Sequence, residues 1–230
     1  MTYRHIIFDF DGVLADSNEI RFEGFVDLFA DIGDERLDRF MTFVKANGGL
    51  SRYGKIRHLH SEILHRPIPE SEVIGLAEQY SRLVMEKIIQ ADPVTGSLEF
   101  LADHGDRFDL AIISGSDQEE LRQVCRARGI ADHFKAILGS PVEKQENIES
   151  LLKSEGWDPQ ACVYVGDSQN DYDAAIGAGI DFIGRDSGVR DWSDLDVIWI
   201  SDLQELPAAL EELSRRREDG IEPQSRRSIA

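Results

Sequence analysis

Cysteine is scarce in this 230-residue sequence, which contains only Cys125 and Cys162. Both stand in apolar surroundings, so we expect two reduced, partly buried thiols in a cytoplasmic protein rather than a disulfide framework. Long apolar runs are also missing, since none approaches the roughly 20 residues that span a bilayer. Residues 1–5 lead directly into a short apolar run, so we expect no signal peptide.

Basic residues are few as well. The chain has 25 Lys and Arg against 44 Asp and Glu, a formal net charge of −19. Nucleic acids and anionic membranes both require a basic surface, so we expect neither as a partner. A small phosphorylated metabolite is compatible with this charge, because a few cations and a metal ion can be focused at one site.

Repeats and low-complexity tracts are absent too. The spacing of apolar residues divides the chain into regions of different predicted secondary structure. Residues 17–91 show the helical period, which predicts a bundle of short amphipathic helices whose apolar stripes form a core. From about residue 109, short apolar strands alternate with helices, which is typical of a parallel sheet covered on both faces. We therefore predict an α/β fold, with a Rossmann-like parallel sheet core and an inserted α-helical bundle cap domain.

The bounds of these units follow from the same pattern. The core is expected over 1–16 and 92–217, the cap over 17–91 and a disordered tail over 218–230. The expected strands are 4–9, 109–113, 134–138, 161–165, 180–183 and 196–200. The expected helices contain the apolar sets 22–29, 37–44, 56–63 and 73–88, then 117–128, 145–154, 170–178 and 203–213.

The insertion leaves the core directly after the first strand. It must therefore lie over the carboxyl end of that strand, which is the edge where open α/β sheets bind ligands. A helical insertion at this place is positioned to act as a lid.

Two aspartates end the first apolar run, in the order Asp9-Phe10-Asp11-Gly12. Residues two apart on a strand project to the same side, so Asp9 and Asp11 are expected side by side. Such carboxylates repel unless a cation lies between them, and oxygen ligands suit Mg²⁺. The alternative is an ordinary Asp-Gly turn at the end of a strand.

Two further predicted strands end in residues that can bind phosphate. Ser114 and Gly115 follow one of them, and a serine there either binds a phosphate oxygen or caps the next helix. Lys144 follows the next strand and either neutralises a bound phosphate or is a solvated surface charge.

The strand over 161–165 is followed by Gly166-Asp167-Ser168-Gln169-Asn170-Asp171. Asp167 and Asp171 would add carboxylates beside the first strand. The alternative is a helix start with Asp167 or Ser168 as the capping residue.

Together and in this order, these four motifs resemble those of the haloacid dehalogenase superfamily. The subfamily indicated is the phosphoglycolate phosphatase and β-phosphoglucomutase group with a helical cap. This resemblance implies Mg²⁺ at Asp9, Asp11 (through its backbone carbonyl), Asp167 and Asp171, the last of which ligates the metal or orients its ligands. It also implies that Asp9 attacks phosphorus and that Asp11 is the acid and base. The dehalogenases themselves are disfavoured, because their motif lacks the second aspartate.

The resemblance assigns phosphate binding and catalysis to Ser114 and Lys144, with Gly12 and Gly115 lining the site. One departure concerns Lys144, because the family often has proline next and this chain has Gln145. No other lysine lies in the loop before that helix, so Lys144 keeps the assignment.

The cap contributes Arg52 and Lys55, from the segment Asn47-Gly48-Gly49-Leu50-Ser51-Arg52-Tyr53-Gly54-Lys55. Its glycines permit close approach to a ligand, and Arg52 is suited to a carboxylate or phosphate. We therefore predict that Arg52 and Lys55 bind substrate, the alternative being solvated loop cations. The segment also resembles the cap loop of β-phosphoglucomutases.

The function that these features predict is a Mg²⁺-dependent phosphatase acting on a small phosphorylated metabolite, such as phosphoglycolate, a sugar phosphate or a sugar-acid phosphate. The alternatives are a phosphosugar mutase and an inert phosphate- or metal-binding module. The pattern of the fourth motif favours the phosphatase over the mutase. A monomer and a homodimer are both compatible with the sequence.

Overall fold

The computed structural model describes residues 3–219, and its centre is a parallel sheet of six strands in the order β3-β2-β1-β4-β5-β6. The strands are β1 (His5–Phe8), β2 (Asp109–Asp117), β3 (Phe134–Ser140), β4 (Cys162–Gly166), β5 (Asp181–Arg185) and β6 (Ile198–Ile200). Phe8, at the end of β1, is paired with Ile112 on one side and Val165 on the other. Strand order reverses at β1, and such a switch point is where doubly wound sheets open a crevice.

Both faces of the sheet are covered, which explains why its strands are apolar throughout. Ile6 and Phe8 of β1 belong to one buried cluster, and Ile7 between them belongs to the cluster on the opposite face. The helices are α1 (Asn18–Leu28), α2 (Asp34–Ala46), α3 (Arg52–His58), α4 (Glu70–Gln90), α5 (Ser97–His104), α6 (Gln118–Ala127), α7 (Lys144–Glu155), α8 (Gln169–Gly177) and α9 (Leu206–Glu218).

The cap consists of α1 to α4, and two crossing segments connect it to the core. The Asp16 N–H donates to the Asp92 carbonyl at 2.9 Å, and Ala15 forms a bridge with Pro93. Inside the cap the Phe25 ring packs on Phe40 and Tyr80, with centroids 5.6 and 4.3 Å away.

Most predicted elements are present, with differences in detail. Helix α5 was not predicted, because its two turns give too short a periodic pattern. Strand β2 runs to Asp117 instead of ending at 113, and α9 begins at Leu206 rather than 203. The third cap helix continues as one π-helical turn over Leu59–Ile63.

Cys125 and Cys162 are buried and unpaired, as expected. The predicted tail from 218 lies outside the described residues except at its start, where Glu218 ends α9. Over residues 3–219, no helix combines the length and apolar character needed to cross a membrane.

Candidate active site

The loop after β1 brings the two halves of the acidic site together. Gly12 has φ of 74°, and a Cβ there would lie 2.1 Å from Asp167 Oδ2. Only glycine permits both this backbone conformation and this close approach. The sequence Asp9-Phe10-Asp11-Gly12 therefore lies directly against the loop that follows β4.

Three buried carboxylates converge at this point. Ligand oxygens of Asp9, Asp167 and Asp171 lie within 4.8 Å of one another. Burial first, and then the charge of Asp171, raise the pKa of Asp9 well above its usual value and that of Asp167 to about 6. Asp9 Oδ1 is buried without a hydrogen-bond partner. An all-oxygen set with one orphaned acceptor fits a hard cation such as Mg²⁺.

Asp171 is already saturated by hydrogen bonds. Its Oδ1 accepts from Lys144 Nζ at 2.5 Å and lies 2.9 Å from the Tyr164 hydroxyl, while Oδ2 accepts from the Ser168 N–H and Oγ at 3.0 and 2.6 Å. Ser168 and Asp171 thereby form a capping box on α8. Of the two roles considered for Asp171, this geometry favours orienting its neighbours. Tyr164 gave no signal in the sequence beyond its place in an apolar strand.

Lys144 lies at the first residue of α7 and points to the nucleophile candidate. Its Nζ is 3.3 Å from Asp9 Oδ2, and the side chain is buried. Although burial disfavours an ammonium, the charges of Asp171 and Asp9 raise the pKa of Lys144 above its usual value. Gln145 does not disturb this arrangement, because its amide packs against Gly177 at the end of α8.

Asp11 is held by three donors that sequence reasoning missed. The Ser17 hydroxyl, Arg21 Nε and the Ser116 hydroxyl donate to its carboxylate at 2.5, 2.9 and 2.8 Å. Burial alone would raise the pKa of Asp11, but the Arg21 charge and these hydrogen bonds hold it below its usual value. The one available signal was a charged Arg21 beside Phe22 in the apolar stripe of α1.

Ser114 and Gly115 lie in the last part of β2, beside the acidic cluster. The capping residue of α6 is Asp117, whose carboxylate accepts from the backbone of Glu119 and Glu120. Ser114 therefore does not cap the helix. It is buried in the wall of the site, and its hydroxyl accepts from the Ser116 N–H at 3.2 Å. A Cβ on Gly115 would lie 2.4 Å from the Gly49 carbonyl oxygen, so the cap loop rests on this glycine.

A buried ion cluster joins cap and core above Asp11. Glu120 of α6 accepts from Arg21 Nη1 at 2.5 Å and from Arg52 Nη1 and Nη2 at 2.6 and 2.7 Å. Arg52 also donates to Ser81 and lies over the Tyr80 ring, 4.8 Å from its centroid. We call Arg21, Arg52 and Glu120 the clasp. No motif indicated Glu120, because a glutamate in the first turn of a helix is ordinary.

A cavity of about 40 Å³ lies between cap and core. Its wall contains Asp9, Asp11, Ser114, Phe25, Lys55 and Tyr80. Arg52 and Lys55, the two cap residues predicted to bind substrate, both line it, but their surroundings differ. Arg52 is bound to Glu120, whereas within residues 3–219 Lys55 Nζ donates only to the Gly48 carbonyl, at 2.8 Å.

Comparison with known proteins agrees with this geometry. A family model described as haloacid dehalogenase-like hydrolase matches residues 6–185. The chain is 25% identical to a phosphoglycolate phosphatase from Synechococcus elongatus, covering 89% of this chain and 94% of the relative. It is 28% identical to a 5′-nucleotidase from Pseudomonas aeruginosa, covering 80% of this chain and 83% of that protein.

A solved structure, described as a predicted phosphatase from Clostridium acetobutylicum, superposes with a TM-score of 0.74 at 17% identity. The match covers 92% of this chain and all of that one, which shows a shared fold. The family model spans most of the sequence and includes all four motifs. The chain therefore belongs to the haloacid dehalogenase-like hydrolase family.

Proposed function

We propose that this chain is a Mg²⁺-dependent phosphatase that hydrolyses a small phosphomonoester through a phosphorylated Asp9. The observation that carries the proposal is the orphaned Oδ1 of Asp9, buried among carboxylates with Lys144 at 3.3 Å from the other oxygen. A buried carboxylate in this setting is suited to bind a metal and to attack an electrophile. The family membership supports hydrolysis as the reaction.

Asp9 and Asp167 are the side chains placed to hold the metal ion. Asp171 is committed to Lys144 and to α8, and the Asp11 carboxylate is committed to Arg21 and two serines. When bound, Mg²⁺ would offset the negative charge of the carboxylates and of the transferred phosphoryl group.

The reaction then divides into two steps. One Asp9 oxygen bonds to phosphorus while the ester bond breaks, and the leaving oxygen receives a proton carried by Asp11. The contacts of Asp11 with Arg21 and the two serines favour its ionised form, so they must loosen before Asp11 can take up that proton. Asp11 next takes a proton from water, which attacks phosphorus and releases Asp9 and inorganic phosphate. Lys144 and the Ser114 hydroxyl are placed to bind the non-bridging phosphate oxygens.

The cavity favours a small substrate. At about 40 Å³ it has room for about three water molecules, which favours a compact ligand. A phosphoglycolate, the substrate named for one relative, is far closer to this size than a nucleotide, the substrate named for the other. We therefore propose a small phosphorylated metabolite of the phosphoglycolate type.

A phosphosugar mutase is the second candidate, supported by the similarity of the cap loop around Arg52. Two observations disfavour it. The Arg52 guanidinium is bound to Glu120 at two nitrogens, and the cavity has little room for a substrate with a second phosphate.

The test is turnover of a panel of phosphomonoesters with Mg²⁺, comprising 2-phosphoglycolate, a nucleoside monophosphate and a hexose phosphate. We expect phosphate release to be fastest from 2-phosphoglycolate and to stop in EDTA. Isomerisation of a hexose 1-phosphate, dependent on added bisphosphate, would favour the mutase. Binding without turnover of any ester would overturn the phosphatase.

A further inference from the structure

Lys55 is a buried cation on the wall of the cavity. It lies on α3 and is 6% exposed. Its Nζ donates to the Gly48 carbonyl and lies 5.7 Å from the centroid of the Phe25 ring. Within residues 3–219 it forms no salt bridge, although it lines the same cavity as Asp9 and Asp11.

The other cations of this cavity already have carboxylate partners. Arg21 is paired with Asp11 and Glu120, and Arg52 is paired with Glu120. Lys144, just behind the cavity wall, is paired with Asp9 and Asp171. Lys55 is therefore the cation of the described site that has capacity for an incoming anion.

An unpaired buried ammonium costs stability, so its presence needs a reason. Burial lowers the pKa of Lys55 to about 7; the charge of Asp11 opposes this shift, and the charges of Lys144, Arg21 and Arg52 add to it. A negatively charged group entering the cavity would restore the charged form. Groups perturbed in this way and located in a cleft are candidates for function.

We propose that Lys55 binds a carboxylate of the substrate, close to the phosphate ester, and so makes the enzyme selective for small phosphorylated hydroxy acids. This rests on the phosphatase function proposed for Asp9. A carboxylate fits better than a second phosphate, because the cavity is small and one ammonium supplies a single point charge. In this proposal the cap binds the carboxylate of the substrate and the core binds its phosphate.

The decisive comparison uses two esters that differ in one charge, 2-phosphoglycolate and its uncharged carboxamide. In Lys55→Met we expect kcat/KM for 2-phosphoglycolate to fall about 10- to 100-fold, the scale of a charge-assisted hydrogen bond. The loss on the carboxamide should be much smaller, because its amide offers Lys55 no charge. Lys45→Met is the matched control, an exposed cap lysine near the Phe22 ring that does not line the cavity.

Two further measurements separate recognition from folding and from turnover. Lys55→Met should have a Tm at least as high as the wild type, because the substitution removes a buried unpaired charge. In an Asp9→Asn background, calorimetry should show tighter binding of 2-phosphoglycolate than of the carboxamide, and Lys55→Met should abolish that preference.

These outcomes distinguish the two proposals. If the wild type hydrolyses no phosphomonoester but the calorimetric preference depends on Lys55, the phosphatase fails and the carboxylate subsite stands. Equal losses on both esters in Lys55→Met, or a preference unchanged by it, would overturn the subsite. A loss of the same size in Lys45→Met would also overturn the subsite, because the fall in kcat/KM would then follow from the protein's net charge and not from a contact made by Lys55.

Discussion

The core and the cap contribute to the site in different ways. In the core, Asp9, Ser114, Lys144 and Asp167 lie just after or at the ends of parallel strands, and the backbone of the sheet fixes their separation. In the cap, Arg21, Arg52 and Lys55 lie on helices, and they reach the site only because the cap rests on the core. Under the proposed function, the chemistry is therefore built on the sheet, and selection of the substrate is assigned to the helical cap.

The largest effect is expected in the core, from Asp9→Asn. The amide keeps the shape but cannot attack phosphorus, so we expect kcat to fall on the order of 10⁴-fold, the scale for removing a catalytic group. The measurement is phosphate release at saturating substrate with Mg²⁺. Turnover close to that of the wild type would contradict covalent catalysis by Asp9.

The same variant tests the metal site without turnover. Mg²⁺ that binds only the folded state raises the Tm by mass action. We expect a Mg²⁺-dependent rise for the wild type and a much smaller one for Asp9→Asn. An equal rise in both proteins would place the ion elsewhere.

The second largest effect should come from preventing contact between the two regions. In Gly115→Ala the new methyl would meet the Gly49 carbonyl at about 2.4 Å, so the cap cannot close fully. The cap loop must move by about 1 Å to restore an ordinary contact, and a misplacement of that size can lower kcat/KM by about 10²-fold while the core still folds. The control is Gly75→Ala on α4, where a Cβ meets no atom and stability should rise by up to about 1 kcal/mol. Full activity in Gly115→Ala would show that closure is not required.

The features that could be predicted from the sequence follow the same division between core and cap. Asp9 and Asp167 could be located because each directly follows a buried strand, whose pattern indicates their place at the edge of the sheet. Asp11 lies in the loop beyond β1, and its motif rather than the strand pattern indicated it. Helix α5 was not predictable, since eight residues give little periodicity.

The clasp could not be predicted either. Glu120 and Arg21 are ordinary charged residues of two helices that are distant in sequence, and their pairing exists only after the cap docks on the core. The pattern did locate Arg52 at the site, but no pattern shows that its guanidinium is already occupied by Glu120. Ion pairs that form only when the cap packs on the core depend on the tertiary structure, which local sequence patterns do not give.

An intermediate effect is expected from the clasp. Glu120→Gln leaves Arg52 buried without its counter-charge and leaves Arg21 with Asp11 alone, which should lower the free energy of unfolding by about 3 kcal/mol. Urea denaturation measures this loss. Adding Arg52→Met should cost much less than the sum of the single substitutions, because the residues act as one cluster. Strict additivity would show that the clasp does not couple the two regions.

The smallest effect should come from an ion pair that lies wholly within the cap and is exposed. Arg57 Nη2 is 2.6 Å from Glu70 Oε1, a shorter distance than several buried contacts of the site, yet both side chains are about half exposed. Water screens such a pair and its ordering costs entropy, so Arg57→Ala should change the free energy of unfolding by about 0.5 kcal/mol or less. Activity should not change. A loss comparable to that of Glu120→Gln would mean that distance, rather than burial between cap and core, decides what an ion pair contributes in this protein.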